Sequence, residues 1–152
     1  MDIKKNASFT VDHTKFGEGL YISRIDGDIT TYDMRTRRPN SGDYMDNLTM
    51  HSVEHMLATF LRNSEYSDRV IYFGPMGCQT GFYLLVRNAD NDQVISEIIT
   101  ACEKIVAHNG DVFGNSEIEC GNYRSLDLGT AKDEAKKYIE VLKNKEIDFK
   151  YF

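Results

Sequence analysis

Leu20-Tyr21-Ile22-Ser23-Arg24-Ile25-Asp26-Gly27-Asp28-Ile29-Thr30-Thr31-Tyr32-Asp33-Met34 holds two runs of β-branched and aromatic residues separated by a short Asp-Gly turn. Such side chains fit a pleated, half-buried surface, and a glycine beside aspartate allows a tight reversal, so the stretch reads as an antiparallel hairpin. Its second strand delivers Arg35 at its end, and Pro39-Asn40-Ser41-Gly42 then breaks the pattern as a loop. Downstream, Val70-Ile71-Tyr72-Phe73 and Phe82-Tyr83-Leu84-Leu85-Val86 read as two more strands, nearly continuous in apolar character and therefore covered by helices on at least one face. Upstream, Ser8-Phe9-Thr10-Val11-Asp12-His13-Thr14 has strand-like content.

Three helical patterns complete the chain. The first starts at Asp46 or Asn47 and runs to about Asn63, with Leu48, Val53, Met56, Leu57, Phe60 and Leu61 as a stripe that packs on the sheet. The second, about Asn91 to His108, turns Val94, Ile98, Cys102 and Ile105 inward. The third, roughly Asp127 to Lys145, keeps Leu128, Ala131, Ala135, Tyr138 and Leu142 on one face.

At 152 residues and 41% hydrophobic, the sequence is expected to form one domain, residues 1–152, with a core large enough to need no disulfide or structural metal. No apolar run is long enough to cross a bilayer, and Met1-Asp2-Ile3-Lys4-Lys5-Asn6 lacks the apolar stretch of a signal peptide, so a cytoplasmic protein is expected. Three cysteines without a secretion signal fit single thiols in a reducing compartment. A net charge of -6 argues against general nucleic-acid binding, with Arg35-Thr36-Arg37-Arg38 the one basic cluster, either a solvated loop or a local exception.

Chemistry concentrates in the first helix. At ~100° per residue, His55 lies about 40° round from His51 and Glu54 about 60° to the other side, so all three project into one sector. Neutral imidazoles are good ligands for zinc or ferrous iron, and the adjacent carboxylate is placed to move protons. The H-x-x-E-H order is also that of inverted zinc peptidases. A distant thiolate can complete a tripod, and Cys120, beside Gly121, is the candidate; two histidines, one cysteine and an open position make a catalytic site. Gly74-Pro75-Met76-Gly77-Cys78-Gln79-Thr80-Gly81 either presents Cys78 from a tight turn or buries it as a small filler. Were Cys78 a fourth ligand, the site would close as a structural one, the property of a metal-stabilised interaction module.

Taken together, these pieces resemble the S-ribosylhomocysteine lyase (LuxS) family. They are Ser8-Phe9 with Asp12-His13-Thr14, Asp33-Met34-Arg35 with Pro39-Asn40, His51 through Leu57 with Phe60, Pro75 through Tyr83, and Cys120-Gly121, in order over nearly the whole chain. The resemblance implies an α+β fold, an antiparallel β-sheet with helices packed against it, and a homodimer with active sites at the interface. It implies His51, His55 and Cys120 as metal ligands, Cys78 and Glu54 as catalytic residues, and Ser8, His13 and Arg35 as substrate contacts. The implied metal is Fe2+, one per subunit, replaceable by Zn2+ or Co2+. The implied reaction cleaves S-ribosylhomocysteine to homocysteine and 4,5-dihydroxy-2,3-pentanedione, the precursor of autoinducer-2. Departures are Gly74, where many members have serine, Tyr72, where many are acidic, and Thr36-Arg37 in place of Phe-Cys.

Overall fold

Strands β1 (Gly19–Asp26) and β2 (Ile29–Arg35) form the expected hairpin in the computed structural model, which describes residues 2–152. The expectations for the N-terminus and for a domain spanning 1–152 include Met1, which lies outside the described residues. Asp26 pairs with Ile29, leaving Gly27-Asp28 as a two-residue loop, and Gly27 takes φ 60°. A loop that opens on this left-handed conformation follows the twist of its strands, and glycine adopts it without strain.

Strands β3 (Val70–Pro75) and β4 (Gly81–Arg87) complete one antiparallel sheet in the order β1-β2-β4-β3. Period-2 alternation gives it two unlike faces. Leu20, Tyr32, Met34, Phe73, Phe82, Leu84 and Val86 are buried in the core with the helices. The other face carries Thr31, Asp33, Arg35, Tyr83 and Leu85, with Tyr72 at its edge strand.

The helices are α1 (Asn47–Arg62), α2 (Asn91–Ala107) and α3 (Leu128–Asn144). Asp46 is the N-cap of α1 and accepts from the Thr49 amide at 2.7 Å. Asp90 and Asp127 cap the other two in the same way. These caps satisfy amides that have no partner in the first turn, which is why each helix begins after an aspartate. The α1 stripe is close to expectation, except that Leu48 stays outside the core and Met50 enters it.

The segment around Ser8 is a correction: Ala7–Phe9 is a short 3-10 helix and the residues after it form turns, with no strand. Local hydrogen bonds account for this. Thr10 donates to the Ala7 carbonyl at 2.7 Å, and Asp12 accepts from both the amide and the hydroxyl of Thr14. Polar side chains that bond their own backbone favour turns over a ladder.

Cys102 is buried in α2 as the periodicity requires, and burial raises its thiol from the ordinary 9.0 to about 12. The thiol therefore loses its proton at lower pH in the unfolded chain than in the folded one. Its contribution to stability is complete below the unfolded value and is lost as pH rises through the folded one. Urea unfolding at increasing pH should show stability falling above about pH 9, by up to about 1.4 kcal/mol per unit. Cys102→Ala should start less stable at neutral pH and fall more shallowly; an equal slope would exclude Cys102 as the cause.

Candidate active site

One turn of α1 brings His51 and His55 together, their ring centroids 4.6 Å apart and their planes nearly perpendicular. The Nδ1 of His51 is 2.7 Å from the Ser125 carbonyl, and the Nδ1 of His55 is 2.7 Å from the Phe113 carbonyl. A carbonyl can only accept, so each Nδ1 carries the proton and each Nε2 keeps its lone pair for a ligand. Cys120, in the turns between α2 and α3, places its Sγ 3.4 Å from His51 Nε2. The ligand atoms of His51, His55 and Cys120 all lie within 4.8 Å of one another.

That triangle fits a metal. Bonds of roughly 2.0–2.3 Å to nitrogen and sulfur around a tetrahedral centre separate neighbouring ligand atoms by about 3.5 Å. The surrounding backbone is shaped for it as well. Gly114 has φ 71°, a conformation that favours glycine, and a Cβ there would make a tight contact, 3.1 Å, with His55 Nδ1. The Asn122 amide points to the Cys120 sulfur at 3.4 Å, a donor suited to a thiolate. Ser52, buried between the two histidines in sequence, accepts from the Asp127 amide at 2.8 Å and ties the start of α3 to α1.

Glu54 is half-buried and lines a cleft of about 340 Å³ with Met50, His51, Pro75, Asn122 and Ser125. Pro75 is the last residue of β3 and leads directly into the turn that carries Cys78.

Cys78 is exposed on that turn, so the presented conformation holds rather than the buried one. Its sulfur is 3.0 Å from the Thr80 hydroxyl and 3.8 Å from Arg35 Nη1. The next residue, Gln79, takes φ 65° and donates its side-chain amide to the Met45 carbonyl at 2.9 Å, which pins the turn to the chain entering α1. Cys78 is not among the three grouped metal-ligating residues. Among the described residues no hydrogen bond joins it to His51, Glu54, His55 or Cys120.

Arg35 is nearly inaccessible. It makes a two-pronged pair with Asp33 at 2.6 and 3.1 Å and donates to Thr80 Oγ1 at 2.8 Å. Phe16 stacks beneath its guanidinium, with the carbon 5.1 Å from the ring centroid, and the His13 ring packs on Phe16 at 5.4 Å. His13 and Arg35 therefore belong to one cluster on the open face of the sheet. Ser8 lines a cleft of about 400 Å³ on that face with Tyr72 and Tyr83.

Arg35-Thr36-Arg37-Arg38 is not a solvated loop. Arg37 forms a two-pronged pair with buried Glu134 of α3, and Thr36 is buried with its amide donating to the Thr80 carbonyl. Tyr151, which carries no sequence signal, also joins this cluster, and Phe149 anchors the segment before it to β1. Tyr151 stacks on Tyr21 at 4.9 Å and donates to Asp33 Oδ2 at 2.8 Å, and Phe149 accepts from the Ile22 amide. Burial and the adjacent Asp33 carboxylate hold the Tyr151 phenol well above its ordinary value, so it stays a donor.

A profile of the family described as S-ribosylhomocysteinase (LuxS) matches residues 6–148. An S-ribosylhomocysteine lyase of Desulfotalea psychrophila is 46% identical over 93% of this chain and 94% of its own length. One from Borreliella afzelii is 42% identical over 98% and 99%, and one from Clostridium beijerinckii is 43% identical over 93% and 94%.

Proposed function

This chain belongs to the S-ribosylhomocysteinase (LuxS) family, and we propose that it cleaves S-ribosylhomocysteine to homocysteine and 4,5-dihydroxy-2,3-pentanedione. The observation that carries this reading is the open three-ligand group of His51, His55 and Cys120, with Glu54 beside it. A fourth protein ligand would close the site; its absence from the group leaves a position for substrate and argues against a structural module. Relatives matched over almost their whole length are lyases, which removes the peptidase reading of the H-x-x-E-H order.

The thioether carbon of the substrate has no neighbouring carbonyl, so the bond breaks only after a carbonyl has been moved along the sugar. When bound at His51, His55 and Cys120, the metal supplies Lewis acidity that polarises the sugar carbonyl. Glu54 and Cys78 carry the protons: one takes a proton from the carbon beside the carbonyl and returns one to the former carbonyl carbon. Repetition walks the carbonyl from C1 to C2 to C3. Removal of the C4 proton then expels the homocysteine thiolate from C5, which takes up a proton, and the sequence has no net redox change. Arg35 and Thr80 hold the Cys78 sulfur in place, and Ser8, His13 and Arg35 bind the substrate.

Ferrous iron, one per subunit, is the working metal of this proposal, with zinc or cobalt able to replace it. Two imidazoles and one thiolate accept all three, and affinity alone ranks zinc above iron, so supply decides occupancy. The enzyme is a cytoplasmic homodimer whose single-domain subunits, residues 1–152, meet beside the active sites. In support, Phe9 and Tyr72 are 70% and 50% exposed on the segments bordering the open sheet face. Among the described residues no helix is long and apolar enough to cross a membrane. The charge of -6 supports a small-molecule substrate over nucleic acid. The product feeds autoinducer-2 formation and quorum sensing, and homocysteine returns to the methyl cycle.

Bound metal and released homocysteine should be quantified together for the wild type, His51→Ala and Glu54→Gln. His51→Ala should lose both. Glu54→Gln should keep the metal and release homocysteine at least 10²-fold more slowly, the lower range for a positioned acid–base group. Full turnover by Glu54→Gln would remove Glu54 from the mechanism.

A further inference from the structure

Among the described residues no hydrogen bond runs from Cys78 to the metal-ligating group, so the spacing between them is set by the scaffold that holds each. One tether of the thiol turn is Gln79, whose carbonyl accepts from the Met45 amide at 3.0 Å and whose side-chain amide donates to the Met45 carbonyl at 2.9 Å. A single tether leaves a turn able to pivot. The second is Thr80. Its carbonyl accepts from the amides of Thr36 and Arg37, both at 3.0 Å, while its hydroxyl lies 3.0 Å from the Cys78 sulfur and accepts from Arg35 at 2.8 Å.

Arg37 fixes that second tether to α3. Its guanidinium donates to the Glu134 carboxylate at 2.6 and 3.0 Å, with the two side chains 13% and 4% exposed. Such a two-pronged pair constrains direction as well as distance. Asp43, the other partner of Arg37, is 77% exposed and adds little. Glu134 otherwise borders apolar side chains, Val53, Leu57 and Ala135 among them, so apolar residues of similar volume would serve stability there at least as well as a charge pair. About two turns before Glu134, the Asp127 amide donates to Ser52 on α1 at 2.8 Å. One helix thus grips the ligand helix at its start and the thiol turn further along. The Thr36-Arg37 departure belongs to this arrangement, because cysteine at position 37 could not make the fork.

We infer that Arg37 and Glu134 are positioning residues for Cys78: their pair ties the thiol turn to α3, and through it to α1, and so sets where the sulfur stands relative to His51, His55 and Cys120. This rests on the lyase reading of the site. The test uses the metal-loaded, full-length Arg37→Met, Glu134→Leu double variant beside wild type. Metal content, melting temperature, kcat and KM are measured, together with hydrogen exchange by mass spectrometry over residues 76–82.

No stranded charge remains in the double variant, so its metal content and melting temperature should stay close to wild type. Its kcat should nevertheless fall about tenfold to a hundredfold, the effect of misplacing a reacting group by an ångström or so, with KM within about threefold. Amides of the turn should exchange at least about tenfold faster. A kcat that recovers together with stability would overturn the inference, because the pair would then serve the fold alone; so would a lowered kcat with unchanged exchange in the turn. Should the double variant fail to fold, Arg37→Lys decides, since it keeps the charge beside Glu134 without the planar fork. It should show the same pattern to a smaller degree, and unchanged kcat and exchange there would overturn the inference. A wild type that releases no homocysteine would defeat the lyase reading separately. The turn's exchange would still decide the pair's role, faster in the variant supporting it and unchanged overturning it.

Discussion

Cys78→Ala should lower homocysteine release by roughly 10²–10⁴-fold while metal content and melting temperature stay at wild-type values. The sulfur is held by Thr80 and Arg35 on an exposed turn, and its removal leaves no core cavity, so a stability loss is not expected. It also lies outside the His51, His55, Cys120 group, so metal should be retained. Cys78→Ser, which keeps a hydroxyl but is a far weaker acid, should recover little. Turnover within a few fold of wild type in Cys78→Ala would contradict the assignment of Cys78 as a proton carrier. Loss of metal in that variant would instead make the thiol a ligand and the site a closed one.

The largest stability effect should come from Asp33→Ala. Asp33 and Arg35 have side chains only 1% and 3% exposed, and Asp33 accepts from both the guanidinium and Tyr151. Removing the carboxylate strands a buried cation, which costs about 3–5 kcal/mol and, for a chain of this size, roughly 10 °C in Tm. Asp33→Leu combined with Arg35→Met should recover most of that loss, because no uncompensated charge remains. A double variant as unstable as the single one would mean that packing against Phe16 and Tyr151, and not the stranded charge, sets the cost.

The hairpin and the three helices are legible in the sequence because each rests on local signals: an Asp-Gly turn, an aspartate before an apolar stripe, a 3.6-residue period. The approach of His51 to His55 is legible for a similar reason, since helical phase alone aligns them, whereas the place of Cys120 beside them is set by the turns between α2 and α3. What the sequence hides is non-local. Nothing near residue 151 indicates that Tyr151 returns to Asp33, more than a hundred residues away, and Arg37 looks like a surface charge until Glu134 of α3 is placed against it. Gly114 reads as one more loop glycine until the His55 ring is seen to pack closely against it. At Ser8 strand-like residue content loses to local turns, because Asp12 accepts from both the amide and the hydroxyl of Thr14.

The most direct measurement is mass-spectrometric detection of homocysteine after anaerobically prepared, ferrous-loaded wild-type protein is mixed with S-ribosylhomocysteine. Homocysteine and 4,5-dihydroxy-2,3-pentanedione in equal amounts are the predicted result. No homocysteine from protein whose metal content and folding have been confirmed would contradict the lyase assignment.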